Sequence, residues 1–241
     1  MFRFDAVFQA NQHIFGSVPR RGPSYVCPRC LGPKKDYYWL CWGCERLHFQ
    51  GAPEIPAVPM TTALNPSQWY IRLYTYKRGN TREYIPVIAG LARTYLDAHE
   101  DDIRQLLGGP PSITSVVPSK RGYDFEHQPL RIALSSVCPA SYAPSELLRY
   151  VGEQRARRFE YFPQDYEVIP RFLYGERVLL IEDAWVTGST AVSAAGAVLE
   201  AGAESVAIVS LARVIDKHYW REDHPCVRAA CQPYDVHQWP R

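Results

Sequence analysis

No apolar run in this 241-residue chain approaches the ~18 residues that a membrane-spanning helix needs. The N-terminus, Met1-Phe2-Arg3-Phe4-Asp5, also lacks the charged-then-apolar layout of a secretory signal. Both absences predict a cytoplasmic protein with no membrane partner. There is no excess of one charge either: 27 basic and 25 acidic residues leave a net charge of +2, so global electrostatics give no drive toward nucleic acid and only local patches remain open. Repeats and low-complexity tracts are missing. With 46% hydrophobic and 22% charged residues, large-scale disorder is excluded, and the length suits one sizeable α/β core with a small appendage.

Of the seven cysteines, four are paired as Cys27-Pro-Arg-Cys30 and Cys41-Trp-Gly-Cys44. Each Cys-x-x-Cys can form a tight knuckle that aims two thiolates at one metal, and two knuckles complete a tetrahedral site. Zinc is the natural occupant. All four positions are then sulfur, so no coordination site is left for water and the metal is structural. Two disulfides, the other use of these residues, are disfavoured in a reducing compartment. Cys138, Cys226 and Cys231 show no comparable spacing. Cys226 and Cys231 lie among His218, His224 and His237, which read as an ordinary polar surface tail in preference to a second metal site.

The organisation reads as an extended N-terminal lead-in over 1–22, a zinc-binding module over 23–50, a proline-rich linker over 51–66, an α/β domain over 67–215 and a tail over 216–241. The linker assignment rests on Pro53, Pro56, Pro59 and Pro66, a composition that disfavours helix interiors and central strands. Beyond it, helical and strand patterns alternate as in a sheet with crossover helices. Trp69 to Tyr76 is an aromatic-rich strand or helix entry. Tyr84, Val87, Ile88, Leu91, Ala92, Tyr95 and Leu96 form one apolar helical stripe. Ile113 to Val117 is a short β-branched strand, Leu130 to Leu134 and Leu147 to Val151 look helical, and Glu167 to Pro170 reads as a strand. Val178 to Ile181 has the unbroken aliphatic pattern of a strand covered on both faces. Ala191 to Ala201 is its helix, and Ser205 to Leu211 a final strand.

Glu182 and Asp183 follow the aliphatic strand directly. They can accept hydrogen bonds from vicinal hydroxyls or help to hold a hydrated Mg²⁺. Thr187, Gly188, Ser189 and Thr190 then lead into the helix, so their N–H groups and hydroxyls surround a helix N-terminus, where phosphate is favoured. Pro118-Ser119-Lys120-Arg121-Gly122 ends another strand, at the edge where ligands collect in open parallel sheets. Ser119, Lys120, Arg121 and Gly122 offer a hydroxyl, two cations and backbone access, which suits pyrophosphate.

Residues 178–190 resemble the phosphoribosyl pyrophosphate motif of the type I phosphoribosyltransferases: four apolar residues, two acids, two mostly apolar residues and a Thr-rich glycine loop. Trp185 departs from the smaller residue usual there and can narrow the ligand site or stack against it. The order of a four-cysteine knuckle, a linker, Tyr74-Thr-Tyr-Lys-Arg-Gly79, the Pro118 loop and the acidic motif is similar to that of the ComF-type competence proteins. That resemblance covers roughly residues 25–212. Where that family carries Arg-Gly-Phe-Asn, this chain has Arg121-Gly-Tyr-Asp124.

The resemblance implies a type I phosphoribosyltransferase-like, mostly parallel sheet flanked by helices, with a small N-terminal zinc module. It implies binding of phosphoribosyl pyrophosphate with Mg²⁺ and transfer of ribose 5-phosphate to a nitrogenous acceptor. Thr187 to Thr190 would grip the 5-phosphate, Glu182 and Asp183 the ribose hydroxyls, and Lys120 and Arg121 the departing pyrophosphate. A mobile hood is expected in 152–170, which carries Arg155, Arg157 and Arg158, and a homodimer is reasonable. The rival reading is a non-catalytic accessory module for DNA uptake, with the zinc module holding a protein partner or single-stranded DNA. Tyr37, Trp39 and Trp42 can stack bases, although the preferred reading makes them the small hydrophobic core of the zinc module.

Overall fold

The computed structural model describes residues 2–77, 82–120, 124–137, 142–153, 159–169 and 172–240. The fold is mixed α/β, built on a four-stranded parallel sheet in the order β1-β6-β5-β2. The strands and helices in chain order are α1 (Phe2–Asn11), α2 (Trp42–Phe49), β1 (Ala57–Asn65), α3 (Gln68–Tyr76), α4 (Ile85–Ala98), α5 (Glu100–Leu107), β2 (Ile113–Val116), α6 (Pro129–Ser135), β3 (Leu148–Tyr150), β4 (Tyr166–Val168), β5 (Arg177–Glu182), α7 (Ser189–Glu200), β6 (Ser205–Asp216) and α8 (Pro225–Ala230). β5 and β6 are the central strands, and Val178 to Ile181 and Ala207 to Val209 are fully buried, as unbroken aliphatic runs require. No helix among the described residues is long and apolar enough to cross a membrane.

Two clusters cover the two faces of the sheet. On one, the α4 stripe from Val87 to Leu96 packs with Ile103 and Leu107 of α5, Leu134 of α6, and Leu179, Ile181 and Val209. On the other, Val178, Leu180 and Ile208 pack with Val192, Ala195 and Val198 of α7 and with the cysteines and leucines of the knuckle module. That module therefore shares its interior with the sheet.

Several expectations need correction. Most of the proline-rich segment is a nine-residue strand, β1, which contains Pro59 and pairs parallel with β6 from Ala57 opposite Ile208 to Asn65 opposite Asp216. β1 lies at one edge of the sheet, the place where a strand tolerates proline, and among the described residues its other side receives only a two-bond bridge between Gly16 and Thr62. The N-terminal lead-in is not extended: α1 packs Phe4, Val7 and Phe8 toward α4, spaced three and four residues apart on one helix face. Gly90 permits that approach, because a Cβ there would sit 3.0 Å from the Phe4 carbonyl oxygen.

Leu147 to Val151 is not helical. Leu148, Arg149 and Tyr150 pair antiparallel with Val168, Glu167 and Tyr166 as a two-stranded ribbon. Glu167 to Val168 accordingly lies in a strand, while Pro170 falls outside the described residues. The segment after 216 is no surface tail either. Cys226, Val227, Tyr234 and Val236 are buried, and the Val236 carbonyl lies 2.6 Å from Nε2 of the buried His99. Burial pushes the Cys226 thiol up to about 12, so it is an inert core group rather than a reactive one.

Candidate functional site

Parallel pairing of β2 with β5 sets Val116 opposite Ile181, and the Val117 N–H donates to the Ile181 carbonyl at 3.0 Å. Both chains then leave the sheet at the same edge. Ser119 and Lys120 thus come beside Glu182 and Asp183, and a cavity of about 270 Å³ opens between them. Its volume is near the lower end of small-molecule pockets, roughly 300–1,000 Å³. Tyr76, Lys77, Gln128, Glu182, Asp183 and Thr190 supply most of its polar lining, with Ser119 and Lys120. Arg121 and Gly122 fall outside the described residues, as do Cys138, Arg155, Arg157 and Arg158.

The two acids have opposite electrostatics. Glu182, 8% exposed, has one carboxylate oxygen, Oε2, with no hydrogen-bond partner among the described residues. Burial, with Asp183 beside it, pushes its carboxyl well above the ordinary glutamate range, so the proton is favoured. For Asp183 burial works the same way, but the Lys77 ammonium, 2.6 Å from Oδ1, outweighs it and holds the carboxyl below the usual aspartate range. One acid is pushed toward its neutral form and its neighbour toward its ionised form. That division suits a site that must both donate to a ligand oxygen and attract a cation or hydroxyl.

Lys77 enters from the C-terminal end of α3, whose opposite, first turn is capped by Ser67 accepting from the Tyr70 N–H at 3.1 Å. Sequence reading quoted this lysine in a motif but gave it no role. Tyr76, whose buried hydroxyl has no partner among the described residues, stands in the same motif and likewise had no site role, and Gln128, at the start of α6, was missed altogether. No local pattern marks them, because tertiary packing alone brings α3 and α6 to this edge. Lys120 places its ammonium 5.7 Å from the centre of the Tyr150 ring, so the β3–β4 ribbon borders the site.

The loop from Thr187 to Thr190 opens α7, whose first turn carries no acid to repel an anion. Gly188 adopts φ +84°, and a Cβ on it would fall 2.4 Å from Cζ2 of Trp185. Trp185 therefore does not narrow the pocket as expected: its ring is buried beneath Gly188 and forms the floor of the loop. Of the four loop residues, Thr190 lines the cavity. The Thr187 and Ser189 hydroxyls lie 2.6 Å apart, and Ser189 Oγ also accepts from the Phe159 N–H at 3.2 Å. Ser189 is thereby committed to holding the loop and the segment after 158.

The four paired cysteines converge. Cys27, Cys30, Cys41 and Cys44 are all buried, with their sulfurs within 4.8 Å of one another and Cys30 Sγ 3.5 Å from Cys41 Sγ. Tetrahedral zinc with ~2.3 Å bonds needs sulfurs about 3.8 Å apart, so the donor set fits a structural Zn²⁺. The first knuckle closes with Cys27 N–H donating to the Gly32 carbonyl at 2.8 Å and Leu31 at φ +56°. In the second, Cys41 is the N-cap of α2. The module's buried apolar residues are Val26, Leu31, Leu40 and Leu47, not the aromatic residues expected there. Tyr37, Trp39 and Trp42 are 74%, 52% and 61% exposed, while the four cysteines, Leu40 and Leu47 are buried in the cluster shared with the sheet.

Comparison with protein-family models and with the curated proteins gives no match.

Proposed function

We propose that the protein binds phosphoribosyl pyrophosphate or a closely related pentose 5-phosphate at the edge of the sheet and transfers ribose 5-phosphate to a nitrogenous acceptor. The observation that carries this reading is convergence. Two loops 60 residues apart bring Ser119, Lys120, Glu182, Asp183 and Thr190 to one cavity at the N-terminus of a twelve-residue helix. The helix N-terminus and Thr190 suit the 5-phosphate. Asp183 accepts from ribose hydroxyls, protonated Glu182 donates, and Lys77 and Lys120 offset charge gathering on a departing pyrophosphate. Carboxylate oxygens are the hard donors that Mg²⁺ takes, usually one or two together with substrate phosphates. Asp183 would hold the ion, which would neutralise the leaving group. No nucleophilic side chain is required, and catalysis is positional and electrostatic.

The test is thermal stabilisation of metal-loaded protein by phosphoribosyl pyrophosphate with Mg²⁺, beside an Asp183→Asn, Thr190→Ala double variant. Ligand at 100 times its dissociation constant should add about 2.7 kcal/mol. A shift confined to the wild type supports the cradle and leads to an acceptor screen that follows pyrophosphate release. Equal shifts in both proteins, or none, would sink it.

A second reading is favoured by the exposed aromatics of the knuckle module: an accessory surface for single-stranded DNA or a protein partner. The Arg46 guanidinium lies 5.6 Å from the Trp42 ring and Lys35 Nζ 5.9 Å from the Tyr37 ring, the mixture of flat and cationic groups on which unpaired bases stack. Salt-dependent binding of an oligonucleotide, lost in Trp42→Ala at unchanged zinc content, would support it. Equal affinity in the two proteins would remove it.

A further inference from the structure

We propose that Arg213 is a positioning residue that couples the four-cysteine centre to the Trp185–Gly188 loop, so that metal retention and loop geometry are set together. The role of that loop as a ligand cradle rests on the function proposed above; the coupling itself does not.

β6 outruns β5: their pairing ends at Glu182 opposite Ser210, and the strand continues to Asp216. Beyond that point Trp185 takes the vacated side through an isolated bridge to Arg213, donating to the Ala212 carbonyl at 2.8 Å and accepting from the Val214 N–H at 2.9 Å. Arg213 is 7% exposed, and its Nη1 donates to the carbonyls of Trp185 and Val186, both at 2.9 Å, and of Val214 at 2.6 Å. One nitrogen thus holds the turn that carries Gly188.

The other edge of the guanidinium faces the first knuckle. A Cβ on Gly32 would lie 2.5 Å from both Nε and Nη2, so the knuckle's backbone rests directly on the arginine. Among the described residues no carboxylate pairs with Arg213, and Nε has no hydrogen-bond acceptor. A buried cation needs a counter-charge. The four-cysteine centre closed by that knuckle is a source of one. A metal-bound tetrathiolate is the state in which those side chains present a lasting negative charge. The second knuckle touches the same loop independently, since a Cβ on Gly43 would be 3.0 Å from the Thr187 carbonyl oxygen. Both knuckles therefore bear on residues 185–187, one through a guanidinium and one through direct backbone contact.

Thermodynamic coupling is reciprocal, so whatever orders the loop must also tighten metal binding, and the proposal places that gain in slower release of the metal. The experiment follows amide hydrogen exchange and zinc release to a chromogenic chelator in the full-length, zinc-loaded wild type, Arg213→Lys and Arg213→Met. Removing zinc from the wild type should speed exchange at the Trp185 and Val214 amides at least tenfold while the α4 amides keep theirs. Arg213→Met should show the faster loop exchange with zinc bound and release zinc several-fold faster, and Arg213→Lys should fall between. Ribose 5-phosphate should slow zinc release in the wild type and not in Arg213→Met.

Loop exchange in wild type that is indifferent to zinc overturns the proposal, and that arm stands even if Arg213→Met does not fold. Zinc release from Arg213→Met at the wild-type rate overturns it equally, as does exchange that rises uniformly through α4. Loop exchange that follows zinc without any effect of ribose 5-phosphate supports the coupling and rejects the ligand reading.

Discussion

Replacing Glu182 by glutamine should make the protein more resistant to urea at neutral pH, by an amount that grows as pH rises. The wild-type carboxyl sits at the end of β5 with 8% exposure, an Oε2 without a hydrogen-bond partner among the described residues, and Asp183 beside it, while the nearby ammonium of Lys77 is taken by Asp183. Its folded-state value is raised well above normal, chiefly by burial. A raised acid binds its proton more tightly folded than unfolded. Its contribution to stability is therefore complete below the ordinary glutamate value of about 4.3 and is lost as pH climbs toward the folded value. Each pH unit in that interval costs the wild type about 1.4 kcal/mol. Glutamine keeps the neutral shape and removes the proton.

The assay is urea unfolding of both proteins at a series of pH values from 4 to 8, read as the difference in midpoint. Subtracting the variant cancels the histidines and cysteines, which titrate in both. For a denaturant slope near 2.5 kcal/mol per molar, the gap should widen by roughly 0.5 M urea per pH unit until the folded carboxyl ionises, and then stay level. A constant gap would refute the reasoning. A wild type that gains on the variant as pH rises would refute it more directly, since Glu182 would then be a stabilised anion and could not serve as the site's donor.

Lys77→Met removes the ammonium that keeps Asp183 low, with side chains 32% and 23% exposed, so the loss should be modest, about 1 kcal/mol at neutral pH. Because a depressed acid stabilises above its unfolded value and loses that contribution as pH falls through the folded one, the gap between the two proteins should close below about pH 4, and a gap that persists there would count against the pair. Gly188→Ala must place a Cβ against the Trp185 ring at φ +84°, and should cost about 2 kcal/mol in urea unfolding with a change in tryptophan fluorescence; an unchanged midpoint would show that the loop does not rest on that ring.

The parts of this molecule that could be read in its sequence are those whose physics is local. Val178 to Ile181 is buried on both faces and so is unbroken apolar; the α4 stripe faces one core and so has helical spacing; each cysteine pair forms one knuckle and so has fixed spacing. β1 failed that test because its partner β6 lies some 150 residues away and its edge position admits Pro59, leaving a composition that looks like a linker. Leu148 to Tyr150 failed for a related reason. Three residues are too few for period two to differ from period 3.6, and the deciding partner is Tyr166 to Val168.

The candidate site divides along the same line, and the division explains its chemistry. Glu182, Asp183 and Thr190 lie close together in the chain and carry a recognisable pattern, but nothing in that pattern says which acid is pushed toward its neutral form. The answer comes from α3, whose Lys77 pairs directly with Asp183 and attracts Glu182 too weakly to offset its burial and the neighbouring acid. A strand end with two adjacent acids is electrostatically symmetric until a third element arrives, so roles in this pocket are assigned by packing contacts more than a hundred residues apart in the chain. The sequence motif names the candidates, and the sheet order β1-β6-β5-β2, which brings α3 to the same edge, chooses between them.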